Sequence, residues 1–193
     1  ESFKKRVHYA QENLERISSG SSRIVYKIDD EKVLKLARNK KGIAQNMVEI
    51  EFNEEAEVMS GMEDILAKLY DHDPEGKWVE MELAQKATKN IFKEVVGFSF
   101  NDYTKGLMLQ SYKMTGRGPE PNLPEKTFQE MWDNEFIYEV FEYMGNYNIP
   151  LGDLTRISTY GVVKRDGSEK IVIIDYGLNS DVYDSYRSEE RRV

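Results

Sequence analysis

The chain has no cysteine among its 193 residues. Disulfides, thiolate nucleophiles and cysteine-held zinc are therefore excluded, and a reducing compartment is the natural setting. Histidine is almost as scarce. His8 and His72 lie far apart in sequence, each in polar surroundings, which argues against a histidine metal site or a serine–histidine triad. Positive charge is in deficit: 27 Lys and Arg stand against 35 Asp and Glu, a net charge of −8. A broad nucleic-acid-binding face is not expected from that balance, although a local basic patch is compatible with it. No apolar run approaches the ~18 residues that a membrane span needs, and no secretory leader pattern opens the chain. The expectation is a cytoplasmic protein with no membrane partner.

What is present is an ordinary globular composition, 39% hydrophobic and 32% charged, in a length that suits one domain or two small lobes around a cleft. Phe3, Val7, Ala10, Leu14 and Ile17 recur at steps of four and three, which predicts a one-sided amphipathic helix over the first ~15 residues. The run Ser18-Ser19-Gly20-Ser21-Ser22 breaks it. RIVYKI and KVLKLA read as the two strands of a hairpin turning at Asp29-Asp30. The polar loop ARNKKG leads into a glutamate-rich helix that stops at Gly61. ILAKLY and KWVEMEL follow as short strands around the turn DHDPEG. Helix is expected from Gln85 through Val96, with Gly97 and Gly106 as breaks, and TGRGPEPNLP reads as a surface loop. From Thr127 to Met144 the apolar set Phe128, Met131, Trp132, Phe136, Val140, Phe141 and Met144 predicts a single core-facing helix. A loop with Gly152-Asp153, a strand YGVVK, a turn RDGSE, a strand KIVIID and a charged tail containing Tyr183 and Tyr186 close the chain. No internal repeat is present. Strands cluster early and return only as a late hairpin, so the fold class is α+β in two parts. Residues 1–84 hold the first helix, the small-residue loop, the antiparallel sheet and the glutamate-bearing helix. Residues 85–193 form a mainly helical part that ends in the hairpin.

Three places can carry chemistry. GSSRIVYKI joins a helix end to a strand by small residues, which let backbone N–H groups approach a phosphate; a flexible linker would look the same. Lys35 sits in VLKLA, on the opposite face from Leu34 and Leu36. A lysine on the inner face of a sheet needs an anionic partner, and the next helix supplies Glu49, Glu51 and Glu54. A solvent-facing lysine on an edge strand is the competing reading. Asp153 in its loop and Asp175 at the end of the last strand flank one hairpin. Two carboxylates so placed can share a site, one for a divalent metal and one to take a proton from a hydroxyl. Alone, each aspartate would read as a turn residue beside its glycine.

In this order the segments resemble a protein-kinase-like fold, including its small kinase-like and aminoglycoside-phosphotransferase-like members. GSSRIVYK resembles a reduced glycine-rich loop, VLKLA the strand with the nucleotide lysine, and IAQNMVEIEF the helix with its glutamate. WVEMELA resembles the strand entering the hinge, LGDL the catalytic loop, and IIDYGL the metal-binding Asp-Phe-Gly segment with tyrosine for phenylalanine. GIAQN, YGVVKRDG and IDYGL together also resemble small kinase-like proteins encoded by bacteriophages, which implies a bacterial host cell or a virion as the location. The resemblance implies ATP and Mg²⁺ as cofactors. By it, Gly20, Ser21, Ser22 and Arg23 would cover the phosphates with backbone N–H groups, and Lys35 would hold the outer phosphate oxygens, oriented by Glu49 or else by Glu51. Glu82 and Leu83 would offer hinge backbone groups to the adenine edge. Asp153 would orient or deprotonate the acceptor hydroxyl, and Asp175 would hold Mg²⁺, with Ser158 at the second metal position.

The chain departs from that family in three ways. Serines replace glycines in the loop. Leu151 stands where a histidine opens the catalytic loop, and Ser158 where an asparagine is the second metal ligand. Only sixteen residues follow Gly177, which leaves no room for an activation segment or peptide-binding helices. Three functions follow: phosphoryl transfer to a protein hydroxyl, including the chain's own; a catalytically impaired kinase-like scaffold for a partner, such as a phage structural or host protein; and nucleotidyl transfer. A curtailed second part with exposed helices also makes self-association an expectation.

Overall fold

The computed structural model describes residues 2–56, 61–147 and 151–177. The last turn expected of the glutamate-rich helix, 57–60, and the charged tail with Tyr183 and Tyr186 lie outside the described residues. The fold is α+β, and the chain divides into two compact units.

The first unit opens with helix α1 (Phe3–Asn13) and a sheet of strands β1 (Glu15–Ser19), β2 (Arg23–Lys27) and β3 (Lys32–Ala37). Helix α2 (Lys40–Ala56) follows, and strands β4 (Leu69–His72) and β5 (Trp78–Glu82) complete the sheet. The spatial order is β1-β2-β3-β5-β4, antiparallel throughout. Alternation along β3 sets its two faces. Leu34 and Leu36 pack with Tyr26 and Ala10, and Phe3, Val7 and Leu14 of the amphipathic N-terminal segment close over them. That segment is shorter than its periodicity predicts. Helix α1 ends at Asn13, Leu14 is extended, and Ile17 lies in β1, 41% exposed. Pairing of Glu15–Ser19 with β2 supplies interstrand hydrogen bonds that one more helical turn would forfeit. The β2–β3 turn is held by Asp29, whose carboxylate accepts from the amides of Glu31 and Lys32, each at 2.8 Å. The expected strand ILAKLY is only half a strand: Ile65 ends a short helix α3 (Met62–Ile65), and β4 starts at Leu69.

The second unit comprises residues 64–66 and 85–175. It contains strand β6 (Gln85–Lys86), helices α4 (Lys89–Val96), α5 (Phe100–Thr115), α6 (Glu125–Trp132), α7 (Glu135–Tyr147) and α8 (Leu151–Leu154), and strands β7 (Tyr160–Arg165) and β8 (Ser168–Ile173). The three strands form a sheet in the order β6-β7-β8. Asp166 and Gly167 make the β7–β8 turn with φ of 51° and 81°, the two-residue hairpin that Asp-Gly favours. Residues 64–66 belong to this unit because Leu66 bridges Ile173 and Arg165 donates to the Leu66 carbonyl at 2.8 Å. Phe92, Phe100, Tyr103, Phe136 and Tyr160 make a cluster of edge-on and tilted rings, with centroids as close as 4.9 Å. Three expected features differ. Gln85 and Lys86, expected to open a helix, form β6 paired with β7, and the helix begins at Lys89, where the Thr88 side chain caps the Ile91 amide. Gly106 does not break α5; it lies inside the helix, where a Cβ would meet Met131 Sδ at 2.6 Å, so close helix packing explains it. The helix expected from Thr127 to Met144 is two helices, because Asn134 ends one and starts the other. Its Oδ1 caps the Ile137 amide at 3.0 Å and its Nδ2 donates to the Val96 carbonyl at 2.9 Å. Phe128, Met131, Val140, Phe141 and Met144 are all buried as predicted, because the break preserves their common face. Among the described residues no helix is long and apolar enough to cross a membrane.

Asn134→Ala removes both a cap and the tie to α4, and should lower stability by about 1–2 kcal/mol. A chemical denaturation curve with an unshifted midpoint would refute this role.

Candidate active site

The first unit builds its polar centre on β3 and α2. Lys35 follows the alternation away from Leu34 and Leu36 and stands in the sheet between Val25 and Val79, its register partners on β2 and β5. Those flanks are apolar, so the ammonium must find its anion inside the protein. It donates to Glu49 Oε1 at 2.8 Å. Glu49 is fully buried, and its other oxygen is 2.8 Å from Arg23 Nη1. Arg23 also donates to Asn46 Oδ1 at 3.2 Å, and Asn46 donates to the Gly76 carbonyl at 2.8 Å. A lysine and an arginine, one at each oxygen, stand where a buried carboxylate has lost its water. Glu51, the other glutamate considered for Lys35, is exposed.

Arg23 therefore enters the site by its side chain, whereas the resemblance had assigned only its backbone. Gln45 and Asn46 were not foreseen at all. Their signal was the spacing: three and four residues before Glu49 on a helix, they share its face.

The loop from Gly20 to Arg23 is a tight turn closed by the Gly20 amide on the Arg23 carbonyl at 2.9 Å. Three successive carbonyls are held from the β3–α2 connection: Gly20 by Arg38 Nη1 at 2.8 Å, Ser21 by Asn39 Nδ2 at 3.1 Å, and Ser22 by the Arg38 amide at 2.8 Å. Ser22 Oγ donates to Gln45 Oε1 at 2.6 Å. Gly42 permits this approach, since a Cβ there would lie 2.2 Å from the Ser22 carbonyl oxygen. With the carbonyls engaged, the amides of Ser21 and Ser22 make no hydrogen bond among the described residues. The turn thus offers N–H groups and not lone pairs, which suits an anion.

At the expected hinge, Glu82 is tied to Lys68: its amide donates to the Lys68 carbonyl at 2.8 Å, and its carboxylate accepts from the Lys68 amide at 3.1 Å. The Leu83 amide donates to the Glu31 carbonyl at 2.7 Å and so is already committed.

Asp175 is exposed, two residues beyond β8 and not at its last position. The two residues after it are clamped in the first unit. Tyr176 is buried, its hydroxyl donates to the Ala67 carbonyl at 2.8 Å, and it is hydrogen-bonded to Asn53 Nδ2. Asn53 Oδ1 in turn accepts from the Leu69 amide at 2.9 Å. Gly177 passes α2 so closely that a Cβ would fall 2.6 Å from the Gln45 carbonyl oxygen. The glycine after the aspartate is therefore a contact requirement, where the sequence suggested a turn.

In the second unit, Asp153 does not sit in an irregular loop but in the single helical turn α8. Thr159 Oγ1 donates to its carbonyl at 2.6 Å, and the Thr159 carbonyl accepts from the Ile174 amide at 2.9 Å. One residue thereby ties the turn of Asp153 to the residue preceding Asp175. Burial pushes the Asp153 carboxyl above its ordinary range; Arg156, at 3.6 Å, opposes that rise and the charge of Asp175 adds to it. Ser158 is exposed in the 3₁₀ turn Ile157–Thr159 between the two acids. Among the described residues no three His, Cys, Asp or Glu side chains gather as a metal cage. The exposed carboxylate of Asp175 nevertheless fits Mg²⁺, which is commonly held by one or two carboxylates, substrate phosphates and water.

A five-stranded antiparallel sheet whose third strand pairs a lysine with a glutamate of the following helix, and a helical unit with a hairpin between two aspartates, are the α+β parts expected from the resemblance of the sequence to a protein-kinase-like fold. No protein-family model and no curated protein matches the chain. Solved structures do. A ternary complex of streptomycin, ATP and APH(2'')-IIa aligns at 13% identity over 92% of this chain and 71% of that one, with a TM-score of 0.39. ADP-bound aminoglycoside phosphotransferase APH(2'')-Ib aligns at 11% identity over 92% and 71%, with a TM-score of 0.41. SAICAR synthase from Saccharomyces cerevisiae, in complex with SAICAR, aligns at 12% over 87% and 74%, with a TM-score of 0.43.

Because the Asp153 carboxyl is raised in the fold, the folded state retains that proton to higher pH than the unfolded chain does. Its contribution to stability is greatest below the ordinary carboxylate range, about pH 4, and is lost as pH rises through the raised value. Asp153→Asn lacks this loss. Its stability relative to the parent should increase as pH rises from about 4 to 7, measured by urea denaturation across that range; a constant difference would contradict the burial argument.

Proposed function

We propose that the chain is an ATP-dependent, Mg²⁺-assisted phosphotransferase that acts on a hydroxyl, with a protein hydroxyl, the chain's own included, as the substrate class. The observation that carries this reading is the buried Lys35–Glu49 pair beside a turn presenting N–H groups. In it Lys35 holds phosphate oxygens, Glu49 and Arg23 fix its direction, and the Ser21 and Ser22 amides lie over the phosphate chain. Asp175 and Ser158 would hold Mg²⁺, which when bound offsets charge on the phosphate oxygens. Asp153 accepts a hydrogen bond from the acceptor hydroxyl, and its raised affinity for a proton suits it to take that proton as the hydroxyl oxygen bonds to the γ-phosphorus and the bond from that phosphorus to the β-phosphate oxygen breaks, with ADP as the leaving group. The remainder of the rate comes from position and fixed charge.

A second reading, a kinase-like scaffold without catalysis, is favoured by the committed Leu83 amide and by Ser158 at the second metal position. The two part on one measurement. Incubation with γ-labelled ATP and Mg²⁺ should label the chain or an added protein, and the melting temperature should rise with ATP·Mg²⁺. At a hundred times the dissociation constant, the gain is about 2.7 kcal/mol. Stabilisation without any transfer would leave the scaffold; neither effect would remove nucleotide altogether. Nucleotidyl transfer would release the γ label with pyrophosphate, so α-labelled ATP and mass spectrometry of the modified chain distinguish it from phosphoryl transfer.

Two variants behave differently. Asp175 is exposed, so Asp175→Asn should abolish transfer while stability stays within about 0.5 kcal/mol. Lys35→Met, by contrast, strips a partner from a fully buried carboxylate. It should lose transfer and also cost stability, toward the about 3–5 kcal/mol of a broken buried pair and below it to the extent that Arg23 still holds Glu49. Paired activity and denaturation measurements test both; a Lys35→Met protein as stable as the parent would contradict the buried pairing.

A further inference from the structure

Asp153 stands on a four-residue helix, too short to be held by its own hydrogen bonds. Its internal ties include the Thr155 amide on the Leu151 carbonyl at 3.1 Å, the Arg156 amide on the Asp153 carbonyl at 3.2 Å and the Thr155 hydroxyl on the Gly152 carbonyl at 3.1 Å. Two side chains outside the turn restrain it further. Thr159 takes the Asp153 carbonyl, and the Tyr160 hydroxyl donates to the Leu154 carbonyl at 2.7 Å. Tyr160 is fully buried, and 2.8 Å from its oxygen lies the hydroxyl of Tyr103, which is fully buried too.

Counting protons fixes the direction of this chain. Each phenol has one proton. If Tyr160 gave its proton to Tyr103, the Leu154 carbonyl would lose its donor. Only the order Tyr103 to Tyr160 to the Leu154 carbonyl satisfies all three groups, and a buried polar group left without a partner is costly. Burial also pushes both phenols up, so both protons are in place at neutral pH. The rings are fixed in turn by the aromatic cluster: Phe92 and Phe100 lie 5.7 and 5.9 Å from the Tyr160 ring. The relay therefore begins in the buried aromatic cluster of the second unit and ends on the carbonyl adjacent to Asp153.

We propose that Tyr160, backed by Tyr103, is the positioning residue of the turn that carries Asp153. It holds the Leu154 carbonyl and thereby fixes where the Asp153 carboxyl stands. The catalytic half of this inference rests on the phosphotransfer reading above; the structural half does not. Positioning matters because displacing a reacting group by about 1 Å can cost about a hundredfold in rate.

The test compares the parent, Tyr160→Phe and the double variant Tyr103→Phe/Tyr160→Phe, all of which keep the rings. Two readouts are needed: amide hydrogen exchange by NMR, and turnover of γ-labelled ATP·Mg²⁺. In both variants exchange at Thr155 and Arg156 should accelerate about tenfold while the β7–β8 amides stay unchanged, and kcat should fall about tenfold or more with KM for ATP unchanged. The double variant should regain part of the melting temperature lost by Tyr160→Phe, because the Tyr103 hydroxyl is no longer stranded while the Leu154 carbonyl still lacks its donor, yet keep the low kcat. A kcat that recovers together with the melting temperature, or exchange at Thr155 and Arg156 unchanged by Tyr160→Phe, would overturn the proposal. A parent protein that binds ATP·Mg²⁺ but transfers nothing would overturn the phosphotransfer reading instead, and the exchange comparison would then decide the relay by itself.

Discussion

A fully buried carboxylate is the constraint around which the first unit is arranged. Glu49 is surrounded by protein, and an ionised acid there is tolerable only with cations at contact distance. Lys35 and Arg23 supply them from neighbouring strands, one to each oxygen. The rest of that region follows from the requirement. β2 and β3 must pair in the register that brings both cations to one face, and α2 must lie on that face with Glu49 inward. The turn between β1 and β2 must then fold down onto α2, which needs a glycine at position 42. An arrangement so costly to assemble and so poorly explained by packing alone is the reason for reading it as a site.

The second unit solves a different problem. Its acids are less enclosed, Asp175 exposed and Asp153 partly buried, and what must be secured is their place. Hydrogen bonds to backbone carbonyls do this. Thr159 and Tyr160, adjacent in sequence where the 3₁₀ turn meets β7, each take one carbonyl of the Asp153 turn. The main chain of Thr159 also holds Ile174, so one short segment fixes the approach to both aspartates. Charge is thus buried and paired in one unit and left near water, on a stiff support, in the other.

Much of the fold was legible because one-dimensional periodicity maps directly onto secondary structure. The alternation of KVLKLA placed Leu34 and Leu36 on one face and Lys35 on the other, and the structure has them so. The Asp29-Asp30 and Asp166-Gly167 turns were readable from residues that favour those geometries. Failures occurred where an apolar pattern outlasted its element. Ile17 continued the helical spacing of α1 but was recruited to a strand, and the pattern from Thr127 to Met144 ran through a break that a single asparagine imposes. Gly106 shows the converse: a residue with poor helix propensity stays in a helix because a neighbouring methionine occupies the space its side chain would need.

The sequence by itself determined which residues were available for chemistry, and their order: no thiol, no usable histidine pair, one lysine set among strand leucines, a glutamate fourteen positions on, and two late aspartates. Local spacing carries that information because period two and period 3.6 assign side chains to faces without reference to any distant segment. Only the tertiary structure decided which glutamate meets Lys35, that Arg23 shares it, that Ser22 rests on Gln45, and that a pair of tyrosines fifty-seven residues apart supports the turn of Asp153. Those pairings depend on burial. A contact between residues remote in sequence has no local signature, and it is selected only when the chain has to satisfy every polar group it removes from water.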